Sequence, residues 1–269
     1  MISFIRTILL YSTAAAATVV LGFAVIIAAL LGVKDKPGGI YDKVPRWWSS
    51  AVLWVTGIKV RVHGMENASG GEPHIFASNH VSWFDVPALA KVLPRYKFVA
   101  KAELFKVPIF GRAMRSVGMI EIQRDNRKAA FGAYDVAAER IRAGNSVVVF
   151  PEGTRGLAYP LRPFKKGPFV LAIAAGVPIV PIILHGTIEV MPKGSLWAHS
   201  GTIDVHLLEP VSTKTVDYDH REALMQTVRT RMANAMRDLY GVEPLPPTAS
   251  RLPSSVETVS SEVDPTETR

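Results

Sequence analysis

Cysteine is absent from the 269-residue chain. That excludes disulfide frameworks, thiol nucleophiles, thiolate zinc sites and iron–sulfur clusters, while leaving the compartment open. Four familiar motifs are missing as well: the GxSxG nucleophile elbow, the GxxxxGKS/T phosphate loop, the GxGxxG dinucleotide turn and the HExxH zinc helix. Charge is missing from the 27 residues between Arg6 and Lys34. As a helix this run is about 40 Å long, enough to cross an apolar layer of about 30 Å with some tilt. A signal-peptide core is shorter, roughly 7–15 residues. We read the run as a membrane anchor, with a cleaved signal or a buried core helix as the alternatives. Arg6 alone precedes it, whereas Lys34, Lys36, Lys43 and Arg46 follow. The positive-inside bias then puts the main domain on the cytoplasmic side, and the expected location is the cell inner membrane.

The chain is 48% hydrophobic, with a net charge of +8, an isoelectric point near 9.7 and a mean hydropathy of +0.19. Such a balance favours anionic partners: phosphate-bearing ligands, acidic lipid surfaces or nucleic acid. No basic–aromatic nucleic-acid module is present, so nucleic acid is not expected. The charge is uneven. Glu243, Glu257, Glu262, Asp264 and Glu267 outweigh Arg251 and Arg269 in the last 27 residues, which leaves residues 1–242 with +11.

Three segments follow. Residues 1–58 form the anchor, an apolar helix followed by a segment carrying Trp47, Trp48 and Trp54 beside Lys43 and Arg46. Tryptophan with basic flanks suits a membrane interface, so the two pieces form either a span or a hairpin dipped into one leaflet. The alternative for the second piece is an amphipathic helix packed on the domain. Residues 59–242 alternate strands and helices, which argues one α/β domain with a mixed, largely parallel sheet flanked by helices. KVRVHG alternates as a strand, HIFAS and SVVVF read as buried strands, and residues 179–184 and 202–208 add two more. Asp125 or Asn126 can cap a helix whose apolar face is Phe131, Tyr134, Ala138 and Ile141 and which ends before Gly144. Pro168 opens another helix that closes at Gly176. Asp219 and Glu222 make a capping-box pattern for a last helix with Leu224, Val228, Met232, Ala235 and Leu239 on one face, ending at Gly241. Residues 243–269 are rich in Pro, Ser, Thr and Glu without apolar periodicity, and read as a disordered acidic tail.

Two constellations carry chemistry. The first is Asn79-His80-Val81-Ser82-Trp83-Phe84-Asp85, directly after a strand. His80 and Asp85 lie about 140° off register if both are helical, so the pair works only with His80 in the turn and Asp85 opening the helix. Asp85 then holds one ring nitrogen and leaves the other as a general base. Ser82 lacks any base geometry for a nucleophile. The second is Phe150-Pro151-Glu152-Gly153-Thr154-Arg155, at the end of the SVVVF strand. Ligands in α/β sheets bind at that edge; a glycine there lets N–H groups approach an anion, and Arg155 offers a fork for phosphate. Lys97, Lys101, Arg112, Arg115, Arg124, Arg162, Lys165 and Lys166 add basic character.

NHVSWFD and FPEGTR resemble the NHxSxxD and FPEG blocks of the glycerolipid acyltransferases, and the chain is similar to their 1-acyl-sn-glycerol-3-phosphate acyltransferases. Gly118 to Arg124 (GMIEIQR) resembles the family's substrate block, and Val177 to Ile182 (VPIVPI) its terminal block. All four occur in family order between about residues 60 and 210. The resemblance implies transfer of a fatty acyl group from acyl-CoA or acyl-carrier protein to lysophosphatidic acid, giving phosphatidic acid. It implies His80 as base, Asp85 as its orienting partner, no acyl-enzyme and no cofactor or metal. Arg124, Glu152, Gly153, Thr154 and Arg155, with Lys101, are by the same resemblance the residues that hold the acceptor. The remaining alternatives are a sibling enzyme with another lysophospholipid or amine-lipid acceptor, a lipid hydrolase, and a non-catalytic lipid-binding protein on the membrane.

Overall fold

In the computed structural model, which describes residues 2–69, 71–123 and 127–245, the charge-free run is one helix, α1 (Ile2–Leu30). It turns at positive-φ Gly32 and Gly38 into α2 (Ile40–Val55), making a helical hairpin. The domain then runs β1 (Ile58–His63), β2 (Ile75–Ser78), α3 (Asp85–Val92), β3 (Tyr96–Lys101), α4 (Phe110–Ser116), β4 (Ile120–Ile122), α5 (Arg127–Arg142), β5 (Ser146–Val149), α6 (Gly167–Ala175), β6 (Ile179–His185), α7 (Thr187–Val190), β7 (Gly201–Leu207) and α8 (Arg221–Tyr240).

Among the described residues the strands form one seven-stranded sheet in the order β1-β7-β6-β2-β5-β3-β4. The stretch from β6 to β4 is all parallel, β7 runs antiparallel to β6, and β1 is parallel to β7. This is the mixed, largely parallel sheet expected from the sequence. Both faces are covered, which is why β2 and β5 are apolar on both sides and fully buried. Phe76 and Val148 face a core shared with α3, while Ile75 and Val147 face one shared with α5, α6 and α8. The neighbouring strands β2 and β5 therefore send their following helices to opposite faces. That divergence makes a topological switch point at their carboxyl ends, the position where ligands bind in sheets of this kind.

Several expectations hold and three need correction. Pro168 opens α6, and Gly176 in the left-handed region closes it. In α8 the buried residues are Leu224, Met225, Val228, Met232 and Met236, whereas Leu239 is exposed. The expected capping box is not formed: Asp217 Oδ1 accepts from the N–H groups of Asp219 and His220, and Glu222 pairs with Lys166. Strands β3 and β4 were not anticipated. Asp125 and Asn126, offered as caps for α5, lie outside the described residues, as does the tail beyond residue 245.

The hairpin lies along the domain. At its start Ser3 Oγ donates to the Ala198 carbonyl and Thr7 Oγ1 accepts from Ala198 N–H. Further along, Trp48 Nε1 donates to Thr18 Oγ1, joining the two helices. Trp48 of α2 stands edge-on to Trp83, with centroids 6.0 Å apart. Buried Lys97 on β3 pairs with Asp35 in the hairpin turn at 3.2 Å and faces Asp42 at 3.9 Å. The other side of α1 is open: Ile5, Ile8, Val20, Phe23, Ile27 and Leu30, at helical spacing, are exposed and apolar.

Candidate active site

His80 stands in the turn after β2, and Asp85 is the first residue of α3, the arrangement that the five-residue spacing demands. His80 Nδ1 lies 2.7 Å from Asp85 Oδ2. The same oxygen accepts the N–H groups of Val81 at 2.7 Å and Ser82 at 2.8 Å. Asp85 is fully buried at the first turn of α3, where its Oδ2 takes these two backbone donors. An ionised carboxylate only accepts, so Nδ1 carries the hydrogen and Nε2 keeps its lone pair. The imidazole rests face to face on Phe150, centroids 3.9 Å apart and planes 17° apart. Its side chain is 13% exposed.

The FPEGTR loop holds the backbone of the same residue. Glu152 Oε1 accepts His80 N–H at 3.0 Å, and Gly156 N–H donates to the His80 carbonyl at 2.7 Å. Glu152 Oε2 accepts Arg162 N–H at 3.2 Å. Burial raises the Glu152 pKa to about 7. Gly153, at φ +80°, supplies the left-handed turn that swings the loop over β5. Arg162 Nη1 reaches Thr154 Oγ1 at 2.9 Å and the Arg155 carbonyl at 3.2 Å, and Lys193 Nζ reaches that carbonyl at 3.0 Å.

Lys101 closes β3 at the carboxyl edge that also carries His80 and the FPEGTR loop. It is half-exposed and 3.3 Å from Glu103. Arg124 lies outside the described residues, two positions past the end of β4. Ser82 is no nucleophile: its Oγ donates to the Met191 carbonyl at 2.6 Å and accepts from Phe84 N–H.

Sequence reasoning passed over Phe150 as the ring platform, although its block was singled out. Asn79 was missed too. Its amide donates to the Leu184 carbonyl and accepts Leu184 N–H, tying the end of β2 to β6 beneath the turn. The only signal for it is its place inside the NHVSWFD block.

A second cluster lies on β1 and β7, where His63, Asp204 and His206 bring ligand atoms within 4.8 Å of one another. Arg61 already forks onto both Asp204 oxygens, at 2.9 and 2.8 Å. The rings of His63 and His206 are stacked 4.2 Å apart and nearly parallel, so their lone pairs run side by side rather than converging. The arrangement is that of an ion-pair network.

The family model described as Acyltransferase matches residues 59–185, a span that includes both the His80–Asp85 turn and the FPEGTR loop. Over 199 residues the chain is 33% identical to 1-acyl-sn-glycerol-3-phosphate acyltransferase alpha of Homo sapiens, covering 73% of this chain and 70% of that protein. It is 33% identical over 195 residues to the chloroplastic 1-acyl-sn-glycerol-3-phosphate acyltransferase BAT2 of Brassica napus, covering 72% of this chain and 55% of that one. The chain thus spans about half the length of the chloroplastic relatives it matches. The crystal structure of the 1-acyl-sn-glycerophosphate (LPA) acyltransferase PlsC from Thermotoga maritima superposes with a TM-score of 0.76 at 25% identity, covering 90% of this chain and 98% of that one. The chain belongs to the 1-acyl-sn-glycerol-3-phosphate acyltransferase family.

Proposed function

We propose that the protein transfers a fatty acyl group from an acyl thioester, of coenzyme A or acyl-carrier protein, to the free hydroxyl of 1-acylglycerol-3-phosphate. The observation that carries this reading is the His80–Asp85 pair, with Nδ1 committed to the carboxylate and Nε2 left basic. As the hydroxyl oxygen attacks the thioester carbonyl, Nε2 takes its proton. When the tetrahedral intermediate collapses, the carbon–sulfur bond breaks and the thiolate leaves, recovering the proton from the imidazolium. Such positioned proton transfer contributes about 10²–10⁴ in rate. Asp85 stabilises the imidazolium through a charge-assisted hydrogen bond. No acyl-enzyme is needed, in keeping with the engaged Ser82 hydroxyl.

Arg155, Gly153, Thr154, Arg124 and Lys101 are proposed to hold the acceptor's glycerol phosphate, supported by the resemblance of their blocks and, for Lys101 and the FPEGTR residues, by the sheet edge they share with His80. Residues 1–58 act as the anchor, 59–242 as the acyltransferase domain and 243–269 as an acidic appendage. With one side of α1 packed on the domain and the other side apolar and open, the hairpin enters one leaflet. The basic turn after α1 favours the cytoplasmic face of the inner membrane, where acidic headgroups attract the +11 body.

The test is phosphatidic acid formation by the purified protein from lysophosphatidic acid and a long-chain acyl-CoA, with His80→Ala alongside. Product from wild type and its collapse in the variant are expected. Undiminished product from His80→Ala removes the mechanism, and release of free fatty acid makes the protein a hydrolase.

A further inference from the structure

Glu152 is 3% exposed, and its two oxygens point at two backbone N–H groups, those of His80 and Arg162. A buried carboxyl with both oxygens already engaged by backbone N–H groups has little left for a phosphate or a glycerol hydroxyl. Its contacts go instead to the main chain on which the base is mounted. The N–H of His80 meets Glu152, and the carbonyl of the same residue meets Gly156 N–H, so one loop grips the base residue's backbone on both sides. The ring is then fixed at Nδ1 by Asp85 and on its face by Phe150. The second oxygen of Glu152 reaches Arg162, whose guanidinium caps Thr154 and Arg155.

We propose that Glu152 is a positioning residue for the base rather than a contact to the acceptor: a buried carboxylate that straps the turn after β2 to the loop after β5 and sets where His80 Nε2 points. This rests on the reading of His80 as general base. A displacement of the base by about 1 Å costs on the order of 10² in rate, so the loss belongs in kcat. Acceptor affinity stays, because the phosphate ligands are elsewhere.

The experiment uses the full chain with Glu152→Gln and Glu152→Asp. Steady-state kinetics with lysophosphatidic acid are read beside the Nδ1–H proton resonance of ¹⁵N-histidine-labelled protein. Gln keeps one acceptor and turns an NH₂ group against the other N–H; Asp keeps the charge but withdraws it by one methylene. Both variants are expected to lose roughly 10–100-fold in kcat with KM for lysophosphatidic acid within about twofold. The His80 resonance is expected to shift or broaden. A KM rise of about tenfold or more with kcat held and the resonance unmoved overturns the proposal. Should Gln fail to fold, Asp decides between the same two patterns. A wild type that forms no phosphatidic acid retires the proposed reaction, and the resonance alone then decides whether Glu152 sets the His80 position.

Discussion

His80 lies flat on Phe150, so the plane of the imidazole is set by the first residue of the loop that also grips its backbone. An aromatic pair of this kind contributes about 0.5–1.5 kcal/mol beyond its area. Phe150→Leu keeps the apolar volume and removes the flat platform. We expect kcat to fall several-fold, up to about tenfold, since 1.4 kcal/mol is one decade of rate. KM for lysophosphatidic acid should hold. Initial rates over a range of acceptor concentrations check both numbers.

Asp85→Asn presents an amide where three N–H donors now converge on one carboxylate oxygen. The imidazolium loses its counter-charge, and Nε2 loses its guaranteed lone pair. Activity should drop by roughly 10²–10⁴. Circular dichroism on the same sample separates this from unfolding.

Glu152 also marks stability. Its ordinary pKa of 4.5 is raised to about 7 in the folded protein, chiefly by burial. Below about pH 4.5 both folded and unfolded chains hold this proton. As pH rises from there to about 7, the unfolded chain releases it first, so this group's stabilisation is lost across that interval. Denaturant midpoints measured from pH 4.5 to 7.5 should therefore show a downward component in wild type that Glu152→Gln lacks.

The buried Lys97 ammonium, its pKa lowered by burial and partly restored by Asp35, ties the hairpin turn to β3. Asp35→Asn leaves the ammonium with Asp42 alone at 3.9 Å. Leaving a buried ammonium without its nearest ion-pair partner costs roughly 1–3 kcal/mol. Thermal unfolding should fall accordingly, and protease should cut sooner between residues 34 and 39.

Lys34, Lys36 and Lys43 are exposed on the hairpin. Each basic residue near an anionic surface adds about 1 kcal/mol of attraction. The triple change to Glu should weaken binding to vesicles containing anionic lipid and abolish its salt dependence. Unchanged sedimentation with such vesicles would count against the membrane-facing assignment.

How far the sequence could be read follows from its physics. The His80–Asp85 pair was legible because a five-residue gap admits a shared site only across a turn-to-helix junction. β5 was legible because a strand covered on both faces must be apolar throughout. β3 escaped because it carries Lys97 at a fully buried position, a choice that makes sense only once Asp35 of the hairpin is opposite. β4 has three residues, one of them the exposed Glu121, too few for any period to show. The contacts of Glu152 escaped for a different reason. Which groups a carboxylate meets depends on the path of a loop, and here the partners are backbone N–H groups that every sequence possesses.

Trp83 stands three residues beyond His80 and meets Trp48 of α2 edge-on. The turn that carries the base is thereby attached to the hairpin as well as to the sheet. The height of Nε2 above whatever surface the hairpin rests on becomes a constant of the fold, like the jaw of a caliper. A hydroxyl at another height is not reached by rocking the domain, since rocking carries the base along with the hairpin. On the proposed reading of the hairpin as membrane anchor and His80 as base, selection among lipids would work partly by ruler: the distance from the headgroup plane to the free hydroxyl would have to match the fixed height of the base above the hairpin.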